Sequence, residues 1–378
     1  MWPGSRGVEQ CRFGATHTRP TLLPFLQHPE GLLAGRSDQL ESGWTVTFPG
    51  LLCLKLLFQL AVFEVMQGVA SGASAPAAYE DSSVQIDSDG RIQDDTLGEL
   101  NERFTMLKQF STNTKTTVYL ARALAADDPA AAAAGGQNVV IKILAPAYAR
   151  PEDSSQPPNE VQIAEVSRFR REYQRLSCID HPNVVRYVSF GLLDGWRPYM
   201  ILEAISGSDV QRILDKKRWL TETETVGIVR GVLKALSALH LQGIIHRDIK
   251  PANIMVTVSA PFVKLIDFGF ARMLEADGEI PPEENKIIGT PMYWAPEQTF
   301  ARNTVTGALD LWAVGVLMFH LSSGVLPFSS HNGKLMQIAE GIRTKPARDL
   351  SAMTDGRVSP RFCVLCHRFL STTWIRAL

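Results

Sequence analysis

The densest run of chemically useful side chains is His246-Arg247-Asp248-Ile249-Lys250-Pro251-Ala252-Asn253, which places a carboxylate, an ammonium and a carboxamide within six residues. Fourteen residues after Asn253, Asp267-Phe268-Gly269 adds a second acid at the end of an apolar run. Lys142 closes Val139-Val140-Ile141-Lys142, a setting in which an ammonium is costly to bury without a partner. Two acids, an amide and such a lysine are equipment for neutralising and orienting a highly charged group. They are far enough apart in the chain that only folding can gather them.

The first run resembles the catalytic loop of protein kinases, H-R-D-x-K-x-x-N, and random sequence matches five fixed positions about once in three million windows. Val139 to Lys142 resembles the V-A-I-K strand. Gly289-Thr290-Pro291-Met292-Tyr293-Trp294-Ala295-Pro296-Glu297 resembles G-T-x-x-Y-x-A-P-E, and Asp310-Leu311-Trp312-Ala313-Val314-Gly315 resembles the buried helix that anchors the catalytic loop. The segments follow the family's order, and the resemblance covers residues 104 to 378.

The resemblance implies an ATP-dependent serine/threonine protein kinase with magnesium, acting on serine and threonine hydroxyls of proteins. Phosphoryl transfer of this kind needs positioning and charge neutralisation rather than covalent help. Asp248 would accept the hydroxyl proton, Lys250 would face the transferred phosphate, and Asn253 and Asp267 would bind the metal. Lys142 would pair with Glu172, which lies nine residues before His181-Pro182-Asn183 and on one helix face with Phe169 and Leu176. Asp310 would hold the catalytic-loop backbone. Lys250 and Thr290 are the residues that mark serine/threonine rather than tyrosine kinases. In the nucleotide pocket, Leu202 would be the gatekeeper, and backbone groups of Glu203 and Ile205 would bond the adenine edge. Val118, Val140 and Met255 would sandwich the ring, and Asp209 would reach the ribose.

Three departures from the family pattern stand out. The glycine-rich loop carries Ser111, Asn113 and Thr116 at its three glycine positions. Glycine permits positive φ and close approach of backbone amides to phosphate, so strain of about 1–2 kcal/mol per residue and weakened ATP affinity are expected. No Ser, Thr or Tyr lies between Gly269 and Thr290, where the loop offers Glu275, Asp277, Glu279, Glu283 and Glu284. Glu283 or Glu284 is expected to take the place of a phosphate beside Arg247 or Arg272, the other reading being a solvated acidic loop. The C-terminal part looks short: Arg376 is out of register as partner for Glu297, which would leave that glutamate buried and unpaired, with Leu365 and Phe369 exposed. The competing reading of these departures is a pseudokinase scaffold.

The elements that would position these residues are legible in outline. Val118 to Ala121 and Val139 to Leu144 read as strands, joined across an Ala-rich hairpin insertion ending in Gly135-Gly136. Ile163, Val166, Phe169, Tyr173 and Leu176 recur at helical spacing. Thr221 and Glu224 form a capping box before a helix whose apolar face is Val229, Val232, Leu233 and Leu236. Val263 to Ile266 is a short strand, and Leu311 to Leu321 is apolar enough for a buried helix. The expected fold is α+β and bilobal, with a small β-rich N-lobe and a larger, mainly helical C-lobe over residues 99–378.

Residues 1–98 show no sustained period and read as a poorly ordered extension, with Ser71 to Asp95 as linker and Met66 as an alternative start. Residues 51–66 form an amphipathic pattern too short for a membrane span, so interfacial membrane association is the minor reading there. With 38 Lys and Arg against 39 Asp and Glu, nothing points to nucleic acid. The five cysteines are scattered, which fits a reducing intracellular setting. Cys363-Val364-Leu365-Cys366-His367 matches the haem-attachment spacing, but reads as a core helix that carries two thiols. The sequence sets no oligomeric state.

Overall fold

The computed structural model describes residues 97–112, 115–149, 157–259, 262–274, 289–299, 306–328 and 335–371. The segment 51–66, Asn113, residues 275–288 and Arg376 lie outside these. The fold is α+β, with a small sheet-based lobe followed by a larger helical one.

The N-lobe is a five-stranded antiparallel sheet of β1 (Phe104–Thr112), β2 (Thr116–Ala123), β3 (Asn138–Leu144), β4 (Tyr187–Leu193) and β5 (Arg197–Glu203), in the order β1-β2-β3-β5-β4. Strand alternation sorts β3 by face. Val139, Ile141 and Ile143 are fully buried, while Val140 and Lys142 are half-buried on the opposite side. The helix α1 (Gly98–Arg103) precedes the sheet, and Leu97 and Leu100 pack into its core with Phe104 and Met106.

The Ala-rich connection between β2 and β3 is more than a hairpin insertion, because it contains the helix α2 (Pro129–Ala134). Asp128 caps it by accepting from the Ala130 and Ala131 amides, Pro129 sits at its first position, and Gly135 ends it at φ 83°. Arg103 clamps the Asp128 carboxylate at 3.0 Å, fixing the helix to the lobe.

After the short α3 (Pro146–Ala149) comes α4 (Glu160–Leu176), opened by a capping box of Asn159 and Gln162. Phe169 and Leu176 are buried, and Val166 and Tyr173 pack on the core as the spacing predicts. Ile163 does not: it is 55% exposed. At this end of α4 the inward position is taken by Gln162, buried and donating to the Ala147 carbonyl at 3.1 Å. A polar bond to α3 has set the helix rotation that apolar period alone assigns to Ile163.

In the C-lobe, α5 (Val210–Lys217) and α6 (Glu222–Leu241) lead into α7 (Ala308–Ser323), then α8 (Leu335–Thr344), α9 (Leu350–Thr354) and α10 (Pro360–Phe369). The Thr221–Glu224 capping box forms, and Val229, Val232, Leu233 and Leu236 are fully buried. Short strands stitch the loops between: β6 (Gly207–Asp209), β8 (Ile254–Thr257) and β9 (Val263–Leu265) make one sheet, and β7 (Ile244–Ile245) pairs with β10 (Arg272–Met273).

The expected exposure at the end of the lobe is not found on Phe369, which is fully buried. It sits so close to α7 that a Cβ on Gly315 would come within 2.6 Å of the Phe369 Cβ. Leu365 is half-buried, and the outward apolar residue of this helix is Val364. Glu297 is half-buried and has an interaction partner, so the predicted unpaired buried acid does not arise. Cys366 is fully buried with its thiol against the Gly315 carbonyl, and burial pushes its pKa well up, so it is an inert core thiol rather than a haem anchor. Among the described residues, no helix is long and apolar enough to cross a membrane.

Candidate active site

The 246–253 loop hangs from one buried acid. Asp310, in the first turn of α7 and fully buried, accepts from the His246 amide at 2.9 Å and the Arg247 amide at 2.8 Å, and contacts His240 Nε2 at 2.8 Å. Burial would raise its carboxyl pKa, but the bond and charge of His240 hold it below the ordinary carboxylate value. The bonds matter because Arg247 is left-handed at φ 68°, a conformation costly for any residue with a Cβ. His240 carries no motif label in the sequence, and only its burial against Asp310 reveals it.

This loop presents Asp248 with both oxygens engaged. Oδ1 accepts from the Thr290 amide at 3.0 Å and the Thr290 hydroxyl at 2.8 Å, while Oδ2 accepts from Asn253 Nδ2 at 2.9 Å and meets Lys250 Nζ at 2.7 Å. Lys250 also donates to Thr290 Oγ1 at 2.9 Å. The pair that marks the substrate class in sequence is therefore a physical contact, and its contact with Asp248 is legible only in three dimensions. Asn253 spends its amide nitrogen on Asp248, which turns its amide oxygen the other way.

Asn253 also links the two acids. Its carbonyl accepts from the Ile266 amide at 2.9 Å, and the antiparallel register Ile254↔Leu265 places Asp267 at the same end of the ladder as Asn253. Asp267 is left-handed at φ 56°, the second strained residue of the site. Phe268 is buried in edge contact with His246 at 4.7 Å and Tyr187 at 6.2 Å, and this anchor leaves the Asp267 side chain 47% exposed. Partial burial would raise the Asp267 pKa, but Lys142 and the Gly269 N–H pull harder and hold it at about 2. An ionised carboxylate and an amide oxygen are donors of the type a hard divalent cation takes.

Lys142 Nζ lies 2.9 Å from Glu172 Oε1 and 3.3 Å from Asp267 Oδ1, so the partner assigned by spacing is in place. Burial opposes its charge, yet the two carboxylates raise its pKa above the ordinary lysine value. Tyr187 Oη donates to the same Glu172 oxygen at 2.8 Å. Sequence reading passed over Tyr187, since a tyrosine opening an apolar strand carries no separate signal.

The nucleotide-pocket candidates fall into three groups. Val118, Val140 and Met255 are half-buried, with Leu202 (7% exposed) paired to Val140 in the sheet and Ile205 half-buried just beyond β5. Glu203 ends β5, with its amide bonded to the Arg186 carbonyl and its carboxylate to Lys264 Nζ at 2.5 Å. Asp209 is already committed, capping α5 through the Arg212 amide at 2.9 Å and pairing with Arg212 Nε at 3.2 Å, so a ribose would have to compete with the helix cap. At the former glycine positions, Ser111 pairs with Val118 and Thr116 with Leu144 as ordinary strand residues, and Asn113 lies outside the described residues. Thr116 has no positive φ, so the strain expected there is absent.

The predicted partners Glu275, Asp277, Glu279, Glu283 and Glu284 lie outside the described residues. Among the described residues, their expected targets have other arginines as neighbours. Burial lowers Arg272 to about 9, helped by Arg247, Arg168, Arg175 and Arg171, and burial lowers Arg247 to about 10 against the pull of Asp310.

The Protein kinase domain family matches residues 130–373, more than half of the chain. The chain is 37% identical over 217 residues to the serine/threonine-protein kinase pkn3 of Myxococcus xanthus, covering 54% of this chain and 38% of that protein. It is 37% identical over 185 residues to Pkn1 of the same organism, covering 48% of this chain and 26% of that protein. With the smooth-muscle myosin light chain kinase of Gallus gallus it shares 35% identity over 170 residues, 44% of this chain and 9% of that one. The chain thus spans well under half the length of the curated relatives it matches.

Proposed function

From the premise that this chain belongs to the protein kinase family, we propose that it transfers the γ-phosphate of ATP to serine and threonine hydroxyls of protein substrates. The observation that carries this reading is one connected set. Asp248, Lys250, Asn253 and Thr290 bond to one another, Asn253 joins them to the Asp267 strand, and Asp267 meets Lys142.

Each side chain then has a task. Asp248 is oriented by bonds to both oxygens, so a substrate hydroxyl meets a fixed acceptor for its proton. Lys250, held between Asp248 and Thr290, is placed to shift onto the phosphoryl group as negative charge moves there. Lys142, kept charged by Glu172, binds phosphate oxygens. Asp267 and Asn253 would hold magnesium, which when bound neutralises the phosphates. Val118, Val140 and Met255 cover the adenine, and backbone groups of Glu203 and Ile205 bond its edge. Thr116, at the last of the three glycine positions, is on the phosphate side. The Lys250–Thr290 contact supports serine and threonine over tyrosine as acceptors.

Transfer from radiolabelled ATP to a generic protein substrate tests the proposal, with Asp248→Asn as control. Wild type is expected to label the substrate and the variant to lose roughly a thousand-fold in rate while still binding Mg-ATP. Wild-type protein that neither transfers phosphate nor binds Mg-ATP at millimolar concentration would overturn it.

A further inference from the structure

Three charged side chains on α4 reach three different parts of the cleft. Glu165, Arg168 and Glu172 are spaced three and four residues apart, which puts them on one face of the helix. Glu172 holds Lys142. Arg168 donates from Nε at 2.9 Å, and from its second nitrogen, to the Gly269 carbonyl, with its guanidinium over the Phe270 ring at 5.0 Å. Glu165 Oε1 lies 2.5 Å from Lys115 Nζ, and its Oε2 lies 3.7 Å from Arg168 Nη1.

Lys115 immediately precedes Thr116, where β2 begins and where the family pattern has glycine. Its carbonyl accepts from the Ala145 amide at 2.8 Å, and its ammonium also lies over the Tyr148 ring at 5.7 Å. Both contacts tie the lysine to the α3 segment, and its ammonium reaches α4 at Glu165, whose carboxylate is only 16% exposed. A glycine-rich loop follows its phosphate through backbone freedom. Thr116 is instead an ordinary paired strand residue, so the start of β2 has to be placed by something other than glycine.

We propose that Glu165 is a positioning residue that ties the start of β2 to the Asp267 segment. One of its oxygens takes Lys115 and the other faces Arg168, Arg168 holds the Gly269 carbonyl, and the Gly269 amide holds Asp267 Oδ1 at 3.2 Å. The strand that faces the phosphates and the metal-binding aspartate then move together with α4. The inference rests on the nucleotide reading above.

The test is a double-mutant cycle of Lys115→Met and Glu165→Gln on the full chain, read by Mg-ATP titration calorimetry and by amide hydrogen exchange. Each single change is expected to weaken Mg-ATP binding roughly two- to five-fold, with the double variant no worse than either single one. Exchange is expected to rise at residues 116–119 and 268–270 in both, with Lys115→Arg close to wild type. Additive losses, or unchanged exchange at both segments, would overturn the tether. Wild type that fails to bind Mg-ATP would sink the functional reading instead, and the exchange result alone would then decide the tether.

Discussion

On the helical side of the cleft the 246–253 loop is suspended from Asp310, a fully buried carboxylate bonded to two backbone amides and to His240. On the sheet side, Lys142 and Lys115 are held to α4 by ion pairs whose lysine ends remain 14% and 41% exposed. The first arrangement stabilises a strained backbone, with Arg247 at φ 68°, that would not persist unsupported. The second joins long, rotatable side chains across a gap between separate elements. A buried hydrogen-bonded acid fixes geometry, whereas ion pairs made by long side chains let the sheet adjust relative to α4. The acceptor for the substrate proton thus belongs to the rigid half, and the nucleotide contacts belong to the adjustable half.

The contrast can be broken most directly at Asp310. Asp310→Ala removes three bonds at once and leaves buried polar groups unpaired, with an expected loss of about 3–5 kcal/mol of stability in thermal or denaturant unfolding. A melting curve close to wild type would mean the loop does not depend on this acid. Glu172→Gln probes the other side. It should cost about 1.5–3 kcal/mol in kcat/KM for ATP, roughly ten- to a hundred-fold, with little change in melting temperature. A large fall in stability with unchanged kinetics would reverse the assignment of the two halves.

Gly315→Ala returns to the rigid half. The added Cβ meets the Phe369 Cβ at 2.6 Å, so α7 and α10 must separate, and a loss of about 1–3 kcal/mol in stability is expected with ATP affinity retained. The smallest effect concerns pH. Burial depresses the pKa of His246, against the pull of Asp310 and Asp248, and that of His320, against Asp215. Both rings stay neutral in the folded chain at pH values where the unfolded chain takes up protons. Their contribution to stability is complete above the ordinary histidine value near 6.5 and erodes as the pH falls below it. Melting temperatures followed from pH 7.5 to 5.5 should decline, and a flat profile would show that these rings do not govern acid sensitivity.

The elements legible in the sequence are those whose signal is local or tied to a motif. The capping box at Thr221 and Glu224, the apolar face of α6, and the lysine within an apolar strand each rest on residues a few positions apart. Features decided by distant partners were not legible. The helix α2 is six residues long, too short for an apolar period, and depends on Arg103 gripping Asp128. Ile163 has the right spacing to face inward, yet a bond from Gln162 to α3 turns that end of α4 outward. Phe369 is covered because Gly315 lets two helices approach, a complementarity that neither residue announces alone.

From its order of strand and helix patterns the chain determined by itself that its fold is α+β with two lobes, and from the spacing of its charged residues that its chemistry is of the phosphate-handling kind. Those residues are a short-range code, and their types survive any detail of packing. What tertiary structure alone decided is which of them touch. It brought Thr290 onto Asp248, Tyr187 onto Glu172 and Glu165 onto Lys115. Such contacts join residues up to 50 positions apart, and a hydrogen bond forms only where both partners arrive within about 3 Å, a condition that no local pattern encodes.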